Sequence, residues 1–208
     1  GGSGYEDPYG FTAEVDIILP YFDPTNDKFD REFTDISIFG MVSASADHPD
    51  DTTAYSTDNV NFQVSAVREA AYSKNVHFRL TSSASPSPFP TLTSSVFFGA
   101  YDNSQWNLSV RMRPSNYPLA GLVSGSGTYT YDLVFKGTNT EIGTVINEFI
   151  VTSSVSKAVG QNFLKAAKRM WAGARRTNVT GALLAKSDVL ISNVRYWTQY
   201  IENEDLNQ

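Results

Sequence analysis

The chain has 208 residues, of which 41% are apolar and 18% are charged, and its formal net charge is −6. It contains no cysteine, which excludes disulfides, thiol catalysis and Cys-ligated zinc. The acidic balance argues against nucleic-acid binding through phosphate neutralisation, and no apolar run reaches the length of about 18 residues that a membrane-spanning helix needs.

The first residues, Gly1-Gly2-Ser3-Gly4, are typical of a flexible linker. We interpret residues 1–10 as a linker or a segment added for expression. We expect residues 11–208 to form one domain, because all-β domains commonly run to about 200 residues or more. That domain begins with a predicted strand from Phe11 to Leu19, in which apolar and polar residues alternate. Pro20 ends this strand, since proline has no N–H to donate to a neighbour.

Further short runs with the same alternation or with many β-branched and aromatic residues are predicted as strands. In chain order they are Asp35–Val42, Phe62–Val67, Val76–Thr81, Ser95–Tyr101, Gln105–Met112, Thr128–Lys136, Thr144–Val151, Arg169–Ala174 and Asp188–Tyr196. Turn and loop residues separate nearly all of them, which indicates a sandwich or a barrel. Only Gln161–Lys168 and a terminal turn around Glu202–Asn207 are predicted as helical. The predicted fold class is therefore all-β, an antiparallel β-sandwich with one or two short helical turns.

Three stretches of the chain resemble the laminin G-like branch of the concanavalin A-like lectin/glucanase superfamily. Gln105–Arg111 is similar to the central strand of that family, in which a tryptophan packs between two sheets. Met170–Ala174 is similar to its late strand, which ends in a Gly-Ala pair. Ile191–Trp197, followed by Tyr200–Leu206, resembles the closing strand and its short acidic turn.

A narrower resemblance comes from Gly173–Gly181, together with Ser187–Val189 and Arg195–Trp197. This combination looks most like the version of the domain found in large virion structural proteins of tailed phages. The resemblance implies two stacked antiparallel sheets of about six or seven strands in a jelly-roll topology, with ligand sites on the loops at one rim. Because the fold hosts lectins, glycosidases and purely structural modules, it does not settle the function.

Glucanases of this superfamily carry a Glu-x-Asp strand motif that is followed closely by a second glutamate on the same face. A retaining glycosidase needs two carboxyl groups about 5–5.5 Å apart. Glu14-Val15-Asp16 supplies the first two members, but Ile18 stands where the last glutamate belongs. We therefore interpret Glu14 and Asp16 as the solvent face of an edge or outer strand and expect no enzyme and no catalytic residue. His48 and His77 lack the context of a serine-hydrolase triad and are interpreted as structural.

Hard cations bind several oxygens from a flexible loop, and relatives of the resembled family often hold one calcium ion at the rim of the sandwich. The acidic loop that contains Asp47, Asp50 and Asp51 is the preferred calcium candidate, although acidic loops are usually just solvated. We expect no other cofactor.

Sugar binding needs an exposed aromatic platform and planar polar groups, because sugar rings present apolar C–H faces. Tyr101-Asp102-Asn103 supplies one such set in a turn. Arg175 and Asn178 belong to a second polar loop. These five residues are the candidate ligand-binding site, whereas Trp106 and Trp171 are expected in the core and Trp197 and Tyr200 are expected to seat the terminal turn.

The sequence therefore predicts a non-catalytic structural or interaction module of a virion protein, most similar to those of bacteriophages. Its expected role is surface display or attachment, its expected location is the virion, and its expected partners are neighbouring virion subunits. The alternative is a lectin-like module that recognises host-surface glycans. Both readings exclude nucleic acid and membrane insertion.

Overall fold

A computed structural model of the chain shows a sandwich of two antiparallel five-stranded sheets. The structure describes residues 10–25, 31–43, 60–84, 88–115, 129–166, 168–177 and 181–206. The predicted all-β sandwich is confirmed. The expected linker falls on residues outside these ranges except for Gly10, which is buried against the backbone of Tyr200.

The elements follow the chain in this order: β1 Phe11–Leu19, β2 Asp35–Ser43, β3 Val60–Arg68, β4 Val76–Thr81, β5 Leu92–Thr93, β6 Ser104–Pro114, β7 Thr130–Glu141, β8 Thr144–Ser156, α1 Lys157–Lys165, β9 Lys168–Ala172, β10 Arg175–Arg176, β11 Leu183–Ala185 and β12 Leu190–Trp197.

The first sheet has the strand order β12-β1-β6-β7-β8, and the second has the order β5-β4-β3-β2-β9. The short strands β10 and β11 pair with each other. Neighbouring strands in the first sheet are often distant in sequence, since β1 pairs with β6 on one side and with β12 on the other. Within the described residues each large sheet has five strands, whereas the resemblance implies six or seven.

The alternation of apolar and polar side chains along β1 explains how this strand contributes to the core. Its odd-numbered side chains from Phe11 to Leu19 point between the sheets and are buried. Trp106 of β6 is buried too, and its ring centroid lies 4.8 Å from that of Phe78 in the opposite sheet and 4.7 Å from that of Phe97. Phe149 of β8 stacks on Phe78 at 5.6 Å. The prediction that Trp106 packs between two sheets is confirmed.

Most predicted strands are present, but Ser95–Tyr101 is not one of them. In this segment Phe97 makes a single bridge to Val76 and the chain then turns, with Gly99 at a φ of 65°. The edge position beside β4 is taken by β5, which the sequence did not predict. Strands β10 and β11 were also missed, because strands of two or three residues carry too little pattern to recognise.

The single helix of the described residues begins four residues before the predicted start at Gln161. Ser156 caps it, because its side chain accepts a hydrogen bond from the backbone N–H of Val159. Lys168, predicted as the last helical residue, instead begins β9. Its ammonium group donates to the carbonyls of Phe163 and Ala166, which closes the C-terminal end of the helix.

The terminal segment packs on the outer face of the first sheet, as expected. Tyr200 lies under the guanidinium groups of Arg111 and Arg113, at 5.0 Å and 4.3 Å from its ring centroid. Arg111 also donates to the carbonyl of Ile201 at 2.9 Å and to the side chain of Asn203 at 2.7 Å. No helix within the described ranges is long and apolar enough to cross a membrane.

Candidate functional site

Tyr101, the aromatic residue of the predicted sugar site, lies in the core. Its exposed fraction is 0%, and its ring packs against Phe22 with a centroid separation of 5.5 Å. Its hydroxyl donates a hydrogen bond of 2.7 Å to Asp188. The expectation of an exposed aromatic platform at Tyr101 is therefore wrong, and burial raises the pKa of this phenol well above its usual range.

The carboxylate of Asp188 is the centre of a buried charge cluster. It accepts hydrogen bonds from the guanidinium groups of Arg31 and Arg68 as well as from Tyr101. The Arg68 side chain has an exposed fraction of 0%, and its guanidinium carbon lies 4.3 Å from the Tyr101 ring centroid. A buried cation needs both charge neutralisation and hydrogen bonds, and this cluster supplies them.

Asp102 and Asn103 occupy an exposed turn just before β6, as predicted. Asn103 adopts a φ of 60°, a left-handed conformation that asparagine tolerates better than most residues. Its side-chain oxygen accepts a hydrogen bond of 3.0 Å from the backbone N–H of Tyr21. The turn thus uses its amide to hold a neighbouring loop.

Arg175 lies on the outer face of the second sheet. Its guanidinium carbon sits 5.3 Å from the ring centroid of Trp171, and it donates to Gln63 at 3.1 Å. Trp171 is half-buried on this outer face, where its ring covers Gly40, so its expected place in the core is wrong. The reason is the strand register. Trp171 pairs with Gly40, and the bulge in β2 between Ser37 and Phe39 places Gly40 and its partner on the outer face of the sheet.

The remaining predicted site residues lie outside the described residues. These are Asn178 and the calcium candidates Asp47, Asp50 and Asp51. Within the ranges that the structure does describe, no group of three or more His, Asp or Glu side chains is arranged to hold a metal ion. The calcium site stays a prediction.

Glu14 and Asp16 form a second polar cluster, and their interpretation as the solvent face of an edge or outer strand is wrong for the edge position and for the exposure of Glu14, whereas Asp16 is partly exposed. Strand β1 lies between two neighbours, and Glu14 has an exposed fraction of only 2%. The side-chain amide of Asn107 donates to both carboxylates, and Arg195 donates to Glu14 at 3.0 Å and to Asp16 at 2.7 Å. Burial raises the pKa of Glu14 in spite of these donors.

A groove of about 670 Å³ runs over the outer face of the first sheet beside this cluster. Polar groups line it from four strands, and its walls include the aliphatic side chains of Ile18 and Val145. Its polar lining residues are Asp16, Gln105, Asn107, Thr140, Ser192 and Arg195. Sequence reasoning missed this groove because its members come from strands that are adjacent only in the folded sheet.

The hairpin that joins β7 to β8 has an unusual tip. Glu141 pairs with Thr144, so the loop consists of Ile142 and Gly143 alone, with φ values of 48° and 74°. Two positive φ values are characteristic of a type I′ turn, where Asn-Gly is the preferred pair. A β-branched residue in this conformation costs about 1–2 kcal/mol. The Ile142 side chain is also 98% exposed.

Other apolar side chains near this tip are exposed. Val145 and Ile146 follow it at the start of β8, and Ile150 lies further along the same edge strand. Clusters of exposed apolar side chains mark interaction surfaces in many soluble proteins, and Ile142, Val145 and Ile146 lie close together in the sequence. The tip of the β7–β8 hairpin therefore has two features of a contact site. The apolar side chain of Ile142 is not buried by the fold, and its backbone adopts a conformation that isoleucine disfavours.

A second cavity, of about 680 Å³, lies beside the Asp188 cluster. We call it the Asp188 pocket. Apolar side chains form most of its wall, and Arg31, Arg176, Lys186 and Asp188 are its charged members. The apolar members are Pro20, Phe33, Ala174, Leu183 and Leu190. Three basic residues and one acid make this pocket electropositive, and the acid is already bound by Arg31 and Arg68.

Comparison with known proteins adds no identification. Neither a family model nor a curated protein matches the sequence.

We expect Asp188→Asn to lower the free energy of unfolding by about 3–5 kcal/mol, because the buried Arg68 loses its counter-ion. Urea denaturation at neutral pH measures the change. The matched control is Asp35→Asn, which removes the exposed ion pair with Arg79 and is expected to cost less than about 1 kcal/mol. Equal losses in the two variants would contradict the central role of Asp188.

We expect Ile142→Asn to raise the free energy of unfolding by about 1 kcal/mol, because asparagine suits the first position of a type I′ turn. Thermal and urea unfolding measure the gain. The control is Ile150→Asn, which exchanges an exposed isoleucine of β8 for the same polar residue outside the turn and is expected to bring no gain. If both variants are stabilised alike, backbone strain at Ile142 is not the cause.

Proposed function

We propose that this chain is a non-catalytic interaction module of a larger virion structural protein, and that it acts in surface display or attachment. The observation that carries the proposal is the tip of the β7–β8 hairpin, where Ile142 is 98% exposed in a left-handed conformation. The left-handed backbone of Ile142 costs stability, and its exposed side chain gains none of the stability that burial would bring. A contact with another subunit is the physical reason for retaining such a residue.

The resemblance to laminin G-like domains of phage virion proteins supports the proposed setting. The two-sheet sandwich and the buried Trp106 agree with that family. The jelly-roll kinship and the virion location are part of this proposal. Since this fold hosts several functions, the resemblance contributes only the setting and not the role.

The polar clusters favour a non-catalytic role. Glu14 and Asp16 lie on one strand and share the same donors, Asn107 and Arg195. A retaining glycosidase instead places two carboxyl groups on either side of a scissile bond. The carboxylate of Asp188 is likewise bound on both oxygens. The carboxylates of Glu14, Asp16 and Asp188 therefore act in stabilising the fold.

The test of this proposal uses purified particles of the phage that encodes the chain. We expect mass spectrometry to find its peptides in the particles at a fixed ratio to the other structural proteins, with a replication protein of the same phage absent as the control. We also expect the purified chain to hydrolyse no β-glucan. Absence from the particle, or a hydrolysis that Glu14→Gln abolishes, would contradict the proposal.

Carbohydrate binding is the second candidate, and the groove on the first sheet favours it. Carboxylate, amide and hydroxyl groups converge there beside the aliphatic walls, which is a combination suited to sugar hydroxyls and C–H faces. Gln105 is exposed and Thr140 half-exposed at the mouth of the groove. This groove replaces the Tyr101 turn as the place where a glycan would bind.

If the groove binds glycans, an array probed at high protein concentration will show reproducible binding that Gln105→Ala weakens at least about tenfold, the usual effect of losing a good polar contact. Asp102→Ala, in the exposed turn, is the control and is expected to leave binding unchanged. Binding that Gln105→Ala leaves intact, or no binding to any glycan, would remove this candidate. Tyr101→Ala does not test it, because Tyr101 is buried.

A further inference from the structure

The hairpin tip and the Asp188 pocket lie at the same end of the first sheet, near its opposite edges. The register connects them: Leu190 pairs with Ile18, Ile18 pairs with Gln105, and Gln105 pairs with Thr140. Leu190 lines the pocket, and Thr140 stands two residues before Ile142. Three strand spacings separate these points, which amounts to about 14 Å.

The tip and the pocket are complementary in polarity. The tip carries two exposed neighbours, Ile142 in the loop and Glu141 at the end of β7, so an acid stands next to an isoleucine. The pocket combines apolar walls with an electropositive set of charged residues, including Arg176 and Lys186. It is an open cleft, and its volume of about 680 Å³ lies within the range of roughly 300–1,000 Å³ that is usual for binding clefts and cavities.

We propose that two copies of this chain form a dimer in which the β7–β8 tip of each copy inserts into the Asp188 pocket of the other. A two-fold axis that passes midway between the tip and the pocket, at this end of the sheet, places the tip of each copy at the pocket of the other copy. The interface is then isologous and closed. Ile142 is buried against Leu183 and Leu190, and Glu141 faces the basic residues of the pocket.

The occupant is a second copy rather than an unrelated protein because both halves of the contact are present on one chain. The charges agree in this arrangement, because the acidic Glu141 of the tip meets the basic residues of the pocket. The exposed edge of β8 is a different surface for strand pairing. Pairing through that edge leaves Ile142 exposed and does not account for its backbone conformation.

The inference rests on the proposed function, since it names the partner of the interaction module. The proposed dimer and the proposed function can be contradicted independently of each other. A chain that is present in phage particles but remains monomeric overturns the dimer and leaves the module, whereas hydrolysis lost in Glu14→Gln overturns the module whatever its oligomeric state.

Sedimentation equilibrium of the whole chain tests the dimer through a charge exchange. We expect the native chain to dimerise, and Glu141→Lys or Arg176→Glu to raise the dissociation constant at least about tenfold, since each homodimer then brings like charges together twice. An equimolar mixture of the two variants restores both contacts in a heterodimer. Its dissociation constant is expected to return to within about threefold of the native value, by the same electrostatic complementarity.

Two further variants complete the test. Ile142→Asn, which is expected to fold more stably than the native chain, will weaken the dimer at least about tenfold because an apolar anchor is lost. Asp205→Lys changes the same charge in the exposed terminal turn and is expected to leave the dimer unchanged. A native chain that is monomeric at the highest reachable concentration, a mixture no tighter than its components, or association that survives Ile142→Asn overturns the proposal.

Discussion

The carboxylate of Asp188 joins parts of the chain that are far apart in sequence. It bonds Arg31, Arg68 at the end of β3 and Tyr101 before β6, and it stands itself just before β12. Arg68 is a cation with no solvent contact, so its burial is tolerated only while this partner is in place. The junction between the two sheets at this end of the sandwich depends on that pairing.

Several polar residues that seemed suited to a ligand are bound to partners within the fold. Tyr101 belongs to the Asp188 cluster, and the amide of Asn103 holds the backbone of Tyr21. Glu14 and Asp16 belong to a second cluster with Arg195, which fastens the edge strand β12 to β1. The fold uses these groups to satisfy its own buried charges, because an unpaired charge inside a protein is costly.

Some surfaces are not needed by the fold and remain open to a partner. The tip of the β7–β8 hairpin is the clearest example, since an asparagine at position 142 suits the turn better than isoleucine does. With isoleucine at position 142 the protein is less stable than it would be with a residue that suits the turn. Such a loss of stability is common at functional positions. The Asp188 pocket and the groove on the first sheet are the concave counterparts at the same end of the sandwich.

The sequence predicts some elements of this structure closely and others not at all. Alternation predicted β1 from Phe11 to Leu19 and β4 from Val76 to Thr81 with the bounds that the structure shows. The family resemblance placed Trp106 in the core, where the structure has it. Alternation was less successful elsewhere. It failed at Ser95–Tyr101, where a bridge and a glycine turn replace the strand, and at Trp171, where a bulge in the neighbouring strand changes which face is buried.

By itself, the sequence determined the all-β class, most of the main strands and the apolar face of a regular strand such as β1, because a period of two along one strand is a local property. Only the tertiary structure decided which polar residues meet. Glu14 finds Arg195 and Tyr101 finds Asp188 across separations of 181 and 87 positions. Those encounters depend on strand order and register, which are set by the packing of the whole sandwich rather than by any one segment.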